Sequence, residues 1–184
     1  MIESKVYQPV NLCIYCGPSQ AQENFTAEHI IPYGLGGKLI LPSASCECCQ
    51  VATSKVERFC LQTMLGNVRV HLDIQTRRPK KRSKALALGM NVDGRWETRN
   101  ISIPDHPFIF TLPIMEPAGL FMGLPERSGH KNIRLWYKSI QPDTASRIRR
   151  LDTHAVEQCD TFNLCEYGRM LAKISHAYVV HSSF

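Results

Sequence analysis

Two matched pairs of cysteines, Cys13-x2-Cys16 and Cys46-x2-Cys49, constrain this chain more than any other feature. Each pair fits on one tight turn and offers two corners of a tetrahedron, so together they supply four thiolates for a closed structural zinc site. That reading requires reduced thiols. The N-terminal stretch MIESKVYQPVNL lacks the charged-then-apolar pattern of a secretory leader. The most apolar region, Phe108 to Leu124, is interrupted by Pro113, Glu116 and Pro117 and is too broken to span a membrane. The chain therefore reads as cytoplasmic, with no membrane partner, and there eight cysteines point to metal rather than to disulfides. Cys48 could stand in for Cys46 or Cys49, but the Cys46–Cys49 spacing repeats that of the first pair. The bland alternative, four buried free cysteines, does not account for that repetition. Cys60, Cys159 and Cys165 lie outside the pattern and read as small core residues.

The gap between the pairs holds a whole supersecondary unit. NLCIYCG, residues 11–17, forms the first knuckle. A short extended run from Phe25 to Ile31 follows, then a turn of Gly34, Leu35, Gly36 and Gly37, then a second extended run from Lys38 to Pro42, which together predict a hairpin. Ala52, Val56, Phe59, Cys60, Thr63 and Met64 recur on one face of a 3.6-residue period and predict a helix, with Gly66 placed as its C-terminal stop. TRRPKKRSK, residues 76–84, reads as a basic linker. Beyond it, ALALGMNV and RWETRNISI flank Asp93-Gly94, a two-residue hairpin signal. FIFTLPI is a candidate third strand, PERSGHKN (125–132) a surface loop, and IRLWYKSI a further strand. Phe162, Cys165, Met170, Leu171, Ile174, Ala177 and Tyr178 predict a C-terminal helix over about 161–180. At 184 residues, with 43% hydrophobic and 21% charged residues, the chain has room for a metal-stapled module plus a modest second domain. The expected organisation is α+β: a module at 1–75, the linker at 76–84, and a mixed α+β region at 85–184 with a β-hairpin and a terminal helix.

A C-x2-C knuckle, then EHIIP, then a GG turn, then a C-x2-C opening a helix resembles the HNH endonucleases, over about residues 11–66. The resemblance implies a zinc-stapled ββα-metal fold. It also implies His29 as the general base that activates water, Glu28 as ligand to a catalytic Mg²⁺ or Mn²⁺, and a third contact from the start of the helix. The chemistry suits those residue types: an imidazole takes a proton near neutral pH, and a hard divalent cation on oxygen ligands stabilises phosphoryl and leaving oxygens. Adjacent strand residues point to opposite faces, so the strand has to twist to bring Glu28 and His29 to one phosphate. Two positions depart from the family's pattern. Gln50 stands where asparagine usually follows the second cysteine pair, and its amide oxygen is one methylene further out. Lys38 aligns with the asparagine that braces the turn; a lysine accepts no hydrogen bond, so it reads as a phosphate contact. A zinc deaminase is excluded, because Thr26 precedes Glu28 by two and Ser45 precedes Cys46, and both places break that signature.

The net charge of +6 leans toward polyanions without proving a partner. Arg77, Arg78, Lys80, Lys81, Arg82 and Lys84 in the linker, and Lys55 and Arg58 on the helix, are candidate phosphate contacts. Arg147, Arg149 and Arg150 form a smaller cluster. The expected activity is metal-dependent hydrolysis of phosphodiester bonds in DNA, with duplex DNA as the partner. The alternatives are a non-catalytic zinc-stapled DNA-binding or regulatory module, which Gln50 favours, and an RNA-directed nuclease. The C-terminal half is open to DNA contacts, a partner surface or a homodimer.

Overall fold

The first unit is organised by a three-stranded sheet whose last strand leads directly into the second cysteine pair. The computed structural model describes residues 4–18, 24–114, 123, 134–139, 141–153, 155–158 and 162–182. In chain order its elements are β1 (Lys5–Val6), β2 (Thr26–His29), β3 (Leu39–Ser45), α1 (Glu47–Gln62), α2 (Gly66–His71), β4 (Ala85–Val92) and β5 (Arg95–Ser102). They continue as β6 (Ile109–Ile114), β7 (Arg134–Ser139), α3 (Thr144–Arg150), β8 (Ala155–Gln158) and α4 (Leu164–Ser182). The chain divides into two compact units, Met1–Lys84 with Cys159–Phe184, and Ala85–Gln158.

In the first unit, β2 and β3 pair antiparallel with Glu28 opposite Leu41 and His29 opposite Ile40. β1 adds in parallel on the other edge of β3. The register slips between Thr26 and Glu28, and β3 carries a left-handed Ser43 (φ 51°) opposite the slip. A local bulge of this kind re-aims side chains, so the twist expected at Glu28 and His29 has a backbone cause. The connection is tighter than a plain glycine loop. Tyr33–Leu35 forms one 3₁₀ turn, Leu35 and Gly37 both donate their N–H groups to the Pro32 carbonyl, and Gly36 sits at φ 82°. Gly37 is required for a different reason: a Cβ there would lie 1.8 Å from the Ile31 carbonyl oxygen. Replacing Gly37 with alanine should therefore destabilise the first unit by about 2–3 kcal/mol or more. Gly168→Ala, in open space on α4, should instead gain about 0.5–1 kcal/mol. Urea unfolding midpoints of the two variants check the contrast.

α1 begins earlier than the apolar period indicated, because Cys46 caps it: its sulfur accepts the Cys49 N–H at 3.4 Å. Nor does Gly66 end it. The Thr63 N–H and hydroxyl both donate to the Phe59 carbonyl, and Gly66 opens α2 instead. Of the expected face, Cys60 and Met64 are buried, Val56 and Phe59 half-buried, and Ala52 is exposed.

The C-terminal helix corrects the expected division at 85–184. Ala177 and the partly buried Val180 of α4 pack on Ile14, Ile30, Leu41 and Ala44 of the N-terminal region. The Ile14 carbonyl lies 2.6 Å from His176 Nε2. The chain returns after the second unit because the first cannot cover its own apolar sheet face without that helix.

In the second unit, β4 and β5 close with Val92 opposite Arg95. Asp93 (φ 49°) and Gly94 (φ 80°) take the two left-handed places of a type I′ turn. The third strand of that sheet is β8, not FIFTLPI. The latter is β6, which pairs with β7 in a separate two-stranded sheet. Arg147 lies on α3, where it donates to the Asp143 carboxylate and the Ile103 and His106 carbonyls, a structural role rather than a phosphate contact. The expected loop at 125–132 and Cys159 lie outside the described residues. No helix among the described residues is long and apolar enough to cross a membrane.

Candidate functional site

The knuckle predicted around Cys13 and Cys16 closes through the Gly17 N–H, which donates to the Cys13 carbonyl at 2.9 Å, with Gly17 at φ 76°. Ile14 N–H donates to the Ala44 carbonyl and ties this knuckle to the end of β3. That contact carries the first cysteine pair to the second. The Sγ atoms of Cys13, Cys16, Cys46 and Cys49 all lie within 4.8 Å of one another. Four convergent sulfurs are the donor set of structural zinc, and the cluster fits that ion. Burial works against ionisation of Cys13, but N–H groups of Cys46, Cys16 and Tyr15 outweigh it and bring the thiol down to about 6. Neighbouring Cys13 raises Cys16, and burial raises Cys49. Metal binding has to release whatever protons the ligating thiols carry. Cys48 is exposed and outside the cluster, which settles its competition with Cys46 and Cys49. Cys60 is buried as expected, whereas Cys165 is exposed, on the solvent side of α4, and is not a core residue.

A cleft of about 390 Å³ opens beside the bulged strand. β2 contributes Glu28 and His29, the turn contributes Tyr33 and Gly34, α1 contributes Gln50, Glu57 and Arg58, and the basic segment contributes Arg77 and Arg78. The structure thus gathers six of the expected residues, Glu28, His29, Gln50, Arg58, Arg77 and Arg78, around one opening. It does not gather the others. Lys38 is absent from the lining, and its carbonyl is engaged by the Lys5 N–H. Lys55 lines a separate cavity between α1 and α4. Lys80 and Lys81 form an exposed 3₁₀ turn, and Lys84 is exposed at the end of the unit. Arg82 is committed internally, to the Asp73 carboxylate and the Ile74 carbonyl.

His29 is half-buried, and its ring meets Tyr33 edge-on at 5.8 Å. Burial holds its imidazole below the ordinary histidine value, Arg77 and Lys173 add to that, and Glu57 opposes it. The neutral form, the one that accepts a proton, is therefore favoured. Arg77 lies over the Tyr33 ring at 5.4 Å, which holds a guanidinium at the mouth of the cleft. Arg69 braces the wall, donating to the Gly34 carbonyl at 2.7 Å and the Leu61 carbonyl at 3.0 Å.

Glu28 sits differently. It is 6% exposed, and its carboxylate lies 2.6 Å from the Lys173 ammonium of α4. The same ammonium lies 2.9 Å from Glu57 and donates to the carbonyls of His29 and Ile30. Burial pushes the Glu28 carboxyl above its ordinary value, and the Lys173 charge opposes that. Oxygen donors from Glu28, Glu57 and Gln50 around one cleft suit a hard divalent cation in chemical type. Two of those donors are already shared with a lysine. Sequence reasoning missed Glu57, Lys173, Arg69 and Tyr33. Glu57 could have been found, since it follows Gln50 by seven on the same helix face. Lys173 carried no local signal at all.

Comparison with known families matches residues 13–64 to the HNH endonucleases, the stretch that runs from Cys13 to just past the end of α1. Comparisons with curated proteins and with solved structures found no match.

Proposed function

We propose that this HNH module is a metal-dependent endonuclease that hydrolyses phosphodiester bonds in duplex DNA, with His29 as its general base. The observation that carries the reading is a neutral-leaning histidine on a bulged strand, within the family-matched segment, in a cleft rimmed by Arg58, Arg77 and Arg78. A phosphate drawn to that rim puts its attacking water within reach of the imidazole. Tyr33 limits the ring's rotation and keeps Arg77 at the entrance. Gln50 and Glu28, with Glu57, would hold a Mg²⁺ or Mn²⁺, which when bound offsets charge building on the phosphoryl and leaving oxygens. The zinc site fixes both ends of the hairpin, so the distance from β2 to α1 is set before substrate arrives.

Supercoiled plasmid incubated with purified protein tests this directly. Conversion to nicked or linear DNA is expected with Mg²⁺ or Mn²⁺ and not with EDTA. Retained binding with no cleavage under any divalent ion would sink the enzyme reading. It would favour the second one, a zinc-stapled DNA-binding or regulatory module, for which the Lys173–Glu28 pair and the glutamine at position 50 speak.

A further inference from the structure

α4 lies outside the family-matched segment, yet it delivers a buried charge into the site. The Lys173 side chain is 5% exposed and stands between two carboxylates, 2.6 Å from Glu28 and 2.9 Å from Glu57. The main-chain carbonyls of His29 and Ile30 accept from the same ammonium, so its three hydrogens are shared among four acceptors. A buried ammonium requires such partners, because its desolvation is large unless charges and acceptors surround it. Here the partners are two carboxylates of the cleft, the carbonyl of His29 and that of Ile30 just past its strand. The helix is seated for this contact by the His176 ring on the Ile14 carbonyl and by Ala177 in the core.

We propose that Lys173 is a positioning residue of this site and the resident counter-ion of the Glu28–Glu57 pair, so that an incoming divalent cation must share or displace its hold on those carboxylates. It acts from behind the strand: it holds the His29 and Ile30 carbonyls and leaves the His29 ring facing the cleft. It also sets the affinity for the cation. Two carboxylates and one ammonium carry a net charge of minus one, and a positive charge a few ångströms from a divalent ion weakens its binding. The inference deepens the nuclease reading and rests on it for its functional meaning, but its test does not need cleavage.

Mn²⁺ binding to the zinc-loaded protein, followed by the loss of the free-ion electron paramagnetic resonance signal, is the measurement. Lys173→Gln keeps donors for the two carbonyls and removes the charge. It is expected to bind Mn²⁺ at least about tenfold more tightly than the parent, with Lys173→Arg close to the parent. A folded Lys173→Gln protein with unchanged affinity overturns the proposal, since a purely structural lysine would not move this readout. Should the variant fail to fold, reductive methylation of the parent chain serves instead. Saturating Mn²⁺ should increase the labelling rate of Lys173 severalfold as the carboxylates let it go, and an unchanged rate overturns the proposal. Tighter Mn²⁺ binding by Lys173→Gln with no cleavage by any form would sink the nuclease reading and leave this one standing.

Discussion

His29→Ala should cut plasmid cleavage by roughly 10²- to 10⁴-fold, the usual weight of a positioned general base, while the chain keeps its fold. The fold survives because α4 grips the main chain at position 29, not the ring. What the ring gives to packing is one edge-on contact with Tyr33, worth about 0.5–1.5 kcal/mol. Single-turnover cleavage, with circular dichroism on the same samples, reads both effects. The parent's pH profile carries a second expectation. The base works when neutral, and burial, Arg77 and Lys173 hold its pKa below 6.5. The rate should therefore stay on its plateau down to that pH and fall only below it. An alanine variant as fast as the parent would show that another group activates the water.

Cys46→Ala should do more damage than any other single change in the first unit. Cys46 belongs to the sulfur cluster and also caps α1 through the Cys49 N–H. Its loss removes a zinc corner and the cap together. Binding energy for structural zinc in small modules is of order 10 kcal/mol and a cap contributes about 1 kcal/mol. Against the marginal stability of a domain, about 5–15 kcal/mol, the loss is decisive. Zinc content by atomic absorption should fall well below one per chain, and the first unit should lose its cooperative thermal transition. Cys48→Ser, at an exposed thiol outside the cluster, should keep both. Substantially less than one zinc in fresh reduced parent protein would defeat the four-cysteine site itself.

Much of the first unit was legible because its signals are local. A knuckle is two cysteines and a turn, and a hairpin is two short runs and a glycine connection. A helix face shows in its period, so each could be read within a few residues. The type I′ hairpin at Asp93-Gly94 was legible for the same reason, since left-handed backbone at two successive residues admits few side chains. Misreadings fell where a tertiary partner decided. FIFTLPI has strand propensity, but nothing in it names β7 as its partner or β8 as the strand that joins β4 instead. Gly66 looks like a helix stop until the Thr63 hydroxyl is seen closing the last turn.

The sequence by itself determined the four-cysteine cluster, the hairpin that spans it, and the placing of Glu28, His29 and Gln50 on the strand and helix it joins. Short spacings between chemically specific residues leave few other ways to satisfy a metal and a turn. Only the tertiary structure decided what Glu28 faces. Lys173 lies 144 residues beyond His29, on a helix that returns to cover an apolar sheet. Its ammonium, once desolvated there, can rest only where carboxylates and free carbonyls already converge.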